Sequence, residues 1–404
     1  MKIGVWLGKY NNPQEGGGTS YFERLITGID QYLFNPMIEV CFISEGICTR
    51  KLKKQVLELH YQPQTPFLFK LLRLIPINSI KCRSKDRLAE KNREKKWLTY
   101  TNQLRQNNVK IIYYLQQLQC WIPDFPFIST NWDIGHLSTF SFPEVASMNA
   151  YVGRYNYYTK YLTRALLVFV ESESGKEELI KYTWINPSRI KVVPIFAGEC
   201  INHVMPDDIQ VSFLNSVNLE KNKYFFYPAQ FWAHKNHVGL IKAFEIFLKD
   251  YPDYKLVLTG SDQGTLSHVQ ETITQLNIQR SILYLGFVST EEINALYKNA
   301  ISLVMASFMG PTNMPLLEAM ELDCPVICSD LKGHREELGD AGIFFNPEDP
   351  TDMANAMRKI VKDRNFYLQQ IKLRAKLNKF KIDIALDRIN EFLSEASLLR
   401  DNWG

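Results

Sequence analysis

Residues Ser307–Pro325, reading SFMGPTNMPLLEAMELDCP, constrain the fold of this chain more than any other stretch. Just before them lies an unbroken apolar run, Ile301-Ser302-Leu303-Val304-Met305-Ala306. A short apolar run bounded by turn residues reads as a strand of a parallel sheet, where both faces are covered. The run breaks into a loop at Gly310-Pro311-Thr312-Asn313, and a helix opens at Pro315. Proline fits the first helical position because its missing N–H has no partner there anyway. The reading places Glu318 in the first turn of that helix. Strand, tight loop and helix N-terminus together bind phosphate, because free backbone N–H groups and the helix dipole face the loop. A carboxylate one turn in repels phosphate but suits a ribose diol beside it. The plainer alternative is a βα unit whose glutamate caps its own helix.

The same alternation fills the second half. Tyr224–Tyr227, Lys255–Thr259, Ile282–Gly286 and Pro325–Ser329 read as strands. A helix over His237–Lys249 carries Leu240, Ile241, Phe244, Phe247 and Leu248 on one face. Ser289 and Glu292 have capping-box spacing for a helix through Asn299. The first half repeats the pattern more loosely, with strands over Ile3–Leu7, Ile38–Ile43, Lys110–Leu115, Phe127–Thr130 and Leu166–Val170. A loop at Gly16-Gly17-Gly18 follows the first strand, and glycine lets backbone approach a ligand closely.

The 404 residues suffice for two domains. The expected fold is α/β: two Rossmann-like, doubly wound parallel-sheet domains facing across a cleft, over residues 1–200 and 220–383. The boundary is expected near 198–222, where AGECINHVMPDDIQ shows no apolar periodicity. A last helix over Ile384–Leu399 is expected to cross back onto the first domain, which would then include 384–404.

Hydrophobic content of 46% and charged content of 22% are those of a globular protein. No apolar run approaches the roughly 18 residues that span a bilayer. MKIGVWLGKY reads as a first strand, not a signal peptide. Seven cysteines without ladder spacing fit a reducing cytoplasm, with Cys324 and Cys328 as core thiols. The net charge of +4 is uneven: Lys70–Lys96 holds ten Lys/Arg against three Asp/Glu. That argues for a local anionic partner, not for general nucleic-acid binding. Phe67–Ile75 mixes apolar and basic residues as interfacial segments do, so 67–96 is a candidate contact with an anionic membrane surface. The alternative is a solvated charged helix.

Two further clusters carry chemistry. Lys235 follows the first strand of the second domain and precedes a helix, where a lysine neutralises a diphosphate as a point charge. His234 and His237 flank it, but no third ligand stands near enough for zinc. Ser129-Thr130-Asn131-Trp132-Asp133-Ile134-Gly135-His136 follows a strand, so Asp133 and His136 lie where a sugar or an acceptor hydroxyl would be positioned. The alternative is an aspartate that caps the turn and a histidine bonded to it. No D-x-D pair occurs, which argues against a carboxylate-held metal and for lysine plus helix dipole instead.

Together these residues resemble glycosyltransferase family 4, retaining enzymes of GT-B fold, most strongly over 224–350. Residues 307–329 are similar to the family's sugar-nucleotide segment of two carboxylates separated by seven residues. Glu318 matches the second carboxylate, which the resemblance implies holds the ribose. Gly310 stands where the first would be, and the GPTN-x-P-x-LEA form resembles a subgroup whose loop amides replace it. YPAQFWAHKNH is similar to the subgroup's diphosphate segment, with Lys235 at the family lysine and Gln230 where an arginine is common. TNWDIGH with FPE at 142–144 resembles its WD-x-x-H segment, with Trp132 where many members have histidine. Glu173, Ser174, Gly175 and Lys176 resemble a further family segment.

The resemblance implies a cytoplasmic bacterial-type enzyme of polysaccharide or glycoconjugate synthesis; the basic segment 67–96 makes a peripheral place on the inner face of the membrane the accompanying expectation, against a solvated helix. The enzyme's donor would be a nucleotide-diphosphate sugar, with no cofactor or metal, and its acceptor a saccharide or lipid-linked saccharide. Asp133, His136 and Lys235 are the expected catalytic residues. Gly17, Gly18, Gln230, Lys235, Gly310, Pro311, Thr312, Asn313, Met314 and Glu318 are the expected donor site. The diphosphate is expected on Lys235 and the amides of Thr312 and Asn313. The alternatives are a GT-B nucleotide-sugar epimerase and a catalytically silent sugar-nucleotide-binding scaffold.

Overall fold

The computed structural model describes residues 1–7, 17–62, 78–120, 122, 124–139 and 142–402, without the side chains of 78–89. Two parallel sheets organise the chain. The first has seven strands: β1 (Lys2–Trp6), β2 (Glu39–Glu45), β3 (Val56–Leu59), β4 (Val109–Tyr114), β5 (Phe127–Asn131), β6 (Leu167–Val170) and β7 (Ile190–Val192). Their order is β3-β2-β1-β4-β5-β6-β7, so the winding reverses between β1 and β4. The second has six: β8 (Tyr224–Pro228), β9 (Lys255–Thr259), β10 (Ile282–Tyr284), β11 (Ser302–Met305), β12 (Val326–Ser329) and β13 (Ile343–Phe345). Its order is β10-β9-β8-β11-β12-β13, with the reversal between β8 and β11. Crevices at such reversals are where open α/β sheets bind ligands. This is the GT-B arrangement.

The strands the sequence does not reveal, β3, β7 and β13, are three or four residues long. β3, β7 and β13 also lie at sheet edges, where a full apolar run is not needed. The inner strands β8 and β11 are buried along nearly their whole length, as expected with helices on both faces.

Each face of the first sheet packs its own core. One holds Phe22 and Ile26 of the Gly17–Gln31 helix with Leu386, Ile389 and Leu393 of the terminal helix, Ile382–Asp401. That last helix therefore lies on the first domain. The other face holds Tyr100 and Leu104, from the Asn78–Gln106 helix, against Trp6 and Tyr114. In the second domain Leu240, Ile241, Phe244 and Phe247 are fully buried. The predicted capping box is present, with Ser289 Oγ accepting from the Glu292 N–H at 3.2 Å and the Glu292 carboxylate accepting from the Ser289 N–H at 2.7 Å.

Three sequence expectations are corrected. Gly17 and Gly18 are the first residues of a helix, not part of a loop. The stretch after Gly198, read as lacking apolar periodicity, forms a 3₁₀ turn at Glu199–Asn202 and a helix at Asp207–Ser216. That helix buries only Gln210 and Leu214, so its apolar period is weak. The phosphate-loop helix starts at Met314, with Pro315 second, which moves Glu318 into the second turn. The charged helix runs on through Gln106.

The two domains touch along several contacts. The Glu144 carboxylate accepts from the His234 backbone N–H at 3.0 Å and pairs with its ring Nδ1. Phe142 stacks on Phe308 with ring centroids 5.7 Å apart. The Glu336 carboxylate accepts from the N–H groups of Glu173 and Ser174 at 2.9 and 2.8 Å, so it caps the Glu173–Tyr182 helix from the opposite domain.

Candidate active site

A cleft of about 560 Å³ lies between the domains. It gathers Gln230, Lys235, Thr312, Asn313, Met314 and Glu318 from the second domain. Thr19, Ser20 and Glu23 of the Gly17–Gln31 helix face them from the first.

Lys235 ends a 3₁₀ turn between β8 and the His237–Leu248 helix. Its position is fixed by a chain of polar side chains. The Ser329 carbonyl lies 2.7 Å from His334 Nδ1, which makes that nitrogen the donor. His334 Nε2 then accepts from Asn313 Nδ2 at 2.8 Å. That turns Asn313 Oδ1 toward Lys235 Nζ, which donates to it at 2.9 Å. Burial holds His334 neutral, with its pKa down to about 4, so this direction persists. Burial also brings Lys235 down to about 8, against the pull of Asp133 and Glu144. An incoming diphosphate would restore its charge.

The phosphate loop differs from expectation at one atom. The Asn313 N–H donates to the Glu337 carboxylate, at 3.2 and 3.3 Å to its two oxygens. It is therefore not free for phosphate, and the role expected of that amide falls to the Asn313 side chain and Lys235. Gly310 has φ of +135°, a conformation few residues other than glycine adopt. The Pro311 carbonyl packs so tightly that a Cβ on Gly333 would sit 1.7 Å from its oxygen. Gly310 and Pro311 thus shape the loop from behind, while Thr312 and Asn313 face the cleft.

Glu318 is 9% exposed. Its Oε2 accepts from the Tyr297 hydroxyl at 2.8 Å. Burial raises its pKa, and the hydrogen bonds from Tyr297, Cys200 and the Gly198 backbone pull it back. A Cβ on Gly198 would meet Glu318 Oε1 at 2.4 Å, so the backbone there can come close only as glycine.

Asp133 and His136 follow the end of β5, and neither is among the residues that line the cleft. Asp133 is not a lone turn cap. Its Oδ1 accepts from the Gly135 N–H at 2.8 Å and also pairs with Arg154. Arg154 Nε reaches His136 Nδ1 at 3.4 Å. Burial, then Arg154, push His136 down to about 4, so its ring is neutral. Its Nε2 is buried with no hydrogen-bond partner. The charge of Asp133 raises the pKa of both Lys235 and His234, against the effect of burial. Trp132 packs edge-on to Tyr21, with ring centroids 6.1 Å apart.

His234 and His237 form no metal pair: His234 is taken by Glu144, and His237 stacks on Phe231 at 4.2 Å. No group of three His, Cys, Asp or Glu side chains among the described residues is disposed to hold a metal ion. Sequence reasoning missed Arg154, Tyr297, Glu337 and Gln117. Gln117 donates to the Asp133 carbonyl and accepts from the Trp132 N–H, at 2.8 and 3.3 Å. None of the four sits in a spaced motif, and each reaches its partner only through the fold.

In the basic segment, residues 67–75 lie outside the described residues. Lys96 is paired with Glu45, and Arg93 lies over the Trp97 ring at 5.4 Å, while Lys91 is exposed. No helix among the described residues is long and apolar enough to cross a membrane.

Residues 211–381 match the family described as Glycosyl transferases group 1. The chain is 29% identical over 141 residues to the O-antigen chain mannosyltransferase RfbU of Salmonella typhimurium, covering 35% of this chain and 39% of that one. It is 27% identical over 237 residues to a Campylobacter jejuni N-acetylgalactosaminyltransferase acting on a diphospho-undecaprenol-linked sugar, covering 57% and 60%. The chain thus spans between two fifths and three fifths of the length of these relatives. Its structure resembles that of Anabaena Alr3699/HepE in complex with UDP and glucose, with a TM-score of 0.66 at 18% identity, covering 98% of this chain and 99% of that one. A chain of GT-B fold thus carries, over most of its second domain, the sequence pattern of the glycosyl transferases group 1 family.

Proposed function

We propose that this protein transfers a sugar from a nucleotide-diphosphate sugar to an acceptor hydroxyl, in bacterial polysaccharide or glycoconjugate synthesis. One observation carries the reading: Lys235 and Glu318 line one cleft, Lys235 bonded to Asn313 at the start of the Met314 helix and Glu318 in that helix's second turn. The separation of roles suits a diphosphate on Lys235 and a ribose on Glu318. The names of the relatives, which act in O-antigen and glycan assembly, support the acceptor class.

The mechanism we infer retains the anomeric configuration and uses no metal. The leaving diphosphate gains charge as the glycosidic bond breaks, and Lys235 stabilises that charge. Its oxygen then takes the acceptor's proton on the same face of the sugar. Asp133, held by Arg154, and the neutral His136 position the sugar or the acceptor hydroxyl. Closure of the domains excludes water, which would otherwise take the acceptor's place. The place of action we propose is the cytoplasmic face of a membrane, with the basic helix toward anionic lipid.

Turnover with a panel of donors and acceptors tests the reading. Transfer to an acceptor supports it. Epimerised donor without transfer, or donor binding without any turnover, replaces it with one of the two alternatives.

A further inference from the structure

A second cavity, of about 460 Å³, opens in the first domain between the Asn78–Gln106 helix and the turn at Tyr157–Tyr161. Tyr100 and Tyr157 are buried and make its floor. Tyr61, Trp97 and Tyr161 are partly exposed and make its walls. Polar groups of both kinds stand among the rings. Lys96 and Arg93 donate; Glu45 and Asn92 accept. Lys96 is paired with Glu45, so this pair presents donor and acceptor without net charge.

Two backbone irregularities border this cavity. Leu118, on its rim, has φ of +63°, which a leucine side chain disfavours. Tyr157–Tyr161 is a turn of π-helix, a rare form found frequently at functional sites. Both have the same effect, placing adjacent residues on opposite sides. Gln117 bonds Asp133 and Trp132, while Leu118 lines the cavity. Tyr158 bonds the Asp133 carbonyl and Asn131, while Tyr157 lines the cavity and meets Ser129. The cavity and the Asp133–His136 loop therefore share two walls, each one residue thick.

We propose that this cavity binds a saccharide unit of the acceptor, one or more residues away from the sugar that receives the transfer. The inference rests on the reading of the protein as a glycosyltransferase. Sugar rings present C–H faces that stack on aromatic rings, and hydroxyls that need donors and acceptors together. An acceptor anchored here would lie beside the Asp133–His136 loop, separated from it by Gln117–Leu118 and Tyr157–Tyr158.

The test is retention on an array of immobilised bacterial oligosaccharides, with wild type and Trp97→Ala. UDP and GDP binding is measured in parallel by calorimetry, and folding by circular dichroism. Wild type is expected to retain at least one saccharide, and Trp97→Ala to lose that affinity by about tenfold or more, with nucleotide affinity unchanged. Tyr161→Ala takes the place of Trp97→Ala, under the same criteria, if the latter does not fold. No saccharide retained by wild type, or equal retention by the folded variant, overturns the proposal. Failure of wild type to bind either nucleotide counts instead against the glycosyltransferase reading.

Discussion

Glu144 and His234, 90 residues apart, join the two domains through two hydrogen bonds to one carboxylate oxygen. The residue after His234 is Lys235, so the same contact steadies the lysine that faces the cleft. Burial lowers the pKa of His234 despite Glu144. Burial raises that of Glu144, but the bonds from His234 outweigh it, and the net shift is downward.

Both shifts make the contact acid-sensitive. A histidine held neutral resists charging, so stability is lost as pH falls below the ordinary histidine range, near 6.5. A carboxylate with a depressed pKa contributes stability above its unfolded value, and loses it as pH falls through the lower folded one. Thermal unfolding between about pH 4.5 and 6.5 should therefore show a steeper acid loss in Glu144→Gln than in wild type, because the carboxylate is what holds the His234 pKa up against burial. Equal slopes would mean that the pair does not couple the domains.

Lys235 should set the alkaline limb of activity. With a pKa of about 8, it loses its proton as pH rises through that value, and kcat/KM should fall with it. Lys235→Ala should lower kcat at saturating donor, because the charge it meets builds in the transition state. Unchanged kcat would remove it from the chemistry. His136, down at about 4, should contribute no inflection between pH 5 and 8.

Glu318→Ala should weaken nucleotide binding by roughly 1.5–3 kcal/mol, the cost of losing a charged hydrogen-bond acceptor. Calorimetry with the nucleotide alone checks it. An affinity equal to wild type would free Glu318 from the ribose and leave it as a partner of Tyr297.

Arg154 ties Asp133 to His136. Arg154→Met should leave nucleotide affinity intact and impair transfer. Arg154→Lys should recover only part of the loss, because a point charge cannot span both partners as a planar fork does. A drop in nucleotide affinity instead would place the Asp133 loop in the nucleotide pocket.

Attachment to anionic lipid should depend on the basic helix. Flotation with liposomes should fall when Lys91 and Lys95 are both changed to glutamate, at about 1 kcal/mol for each charge near the surface. Lys96 is a poor choice, since Glu45 already pairs it. Flotation independent of anionic lipid leaves a solvated helix.

Alternation of apolar runs with helical periods was enough to read the inner strands of both sheets but not the short edge strands β3, β7 and β13, because buried parallel strands need unbroken apolar runs and edge strands do not. Lys235, Thr312 and Asn313 were legible as cleft residues for the same reason: each lies in the loop or turn that follows a strand, and strand ends in a doubly wound sheet face the crevice; Glu318 was legible from its place in the helix that follows. What faces them was not legible. Nothing near Asn313 in the sequence says that its N–H is spent on Glu337, or that its side chain is turned by His334 toward Lys235. Arg154 and Asp133 are 21 residues apart, and Glu144 and His234 lie in different domains. Such pairs depend on how strands are ordered and how the domains close, and local periodicity carries neither. The chain's own spacing determined the strand ends and the loops after them; only the tertiary fold decided which polar groups those loops meet, since burial forces each to find its partner wherever the packing brings one.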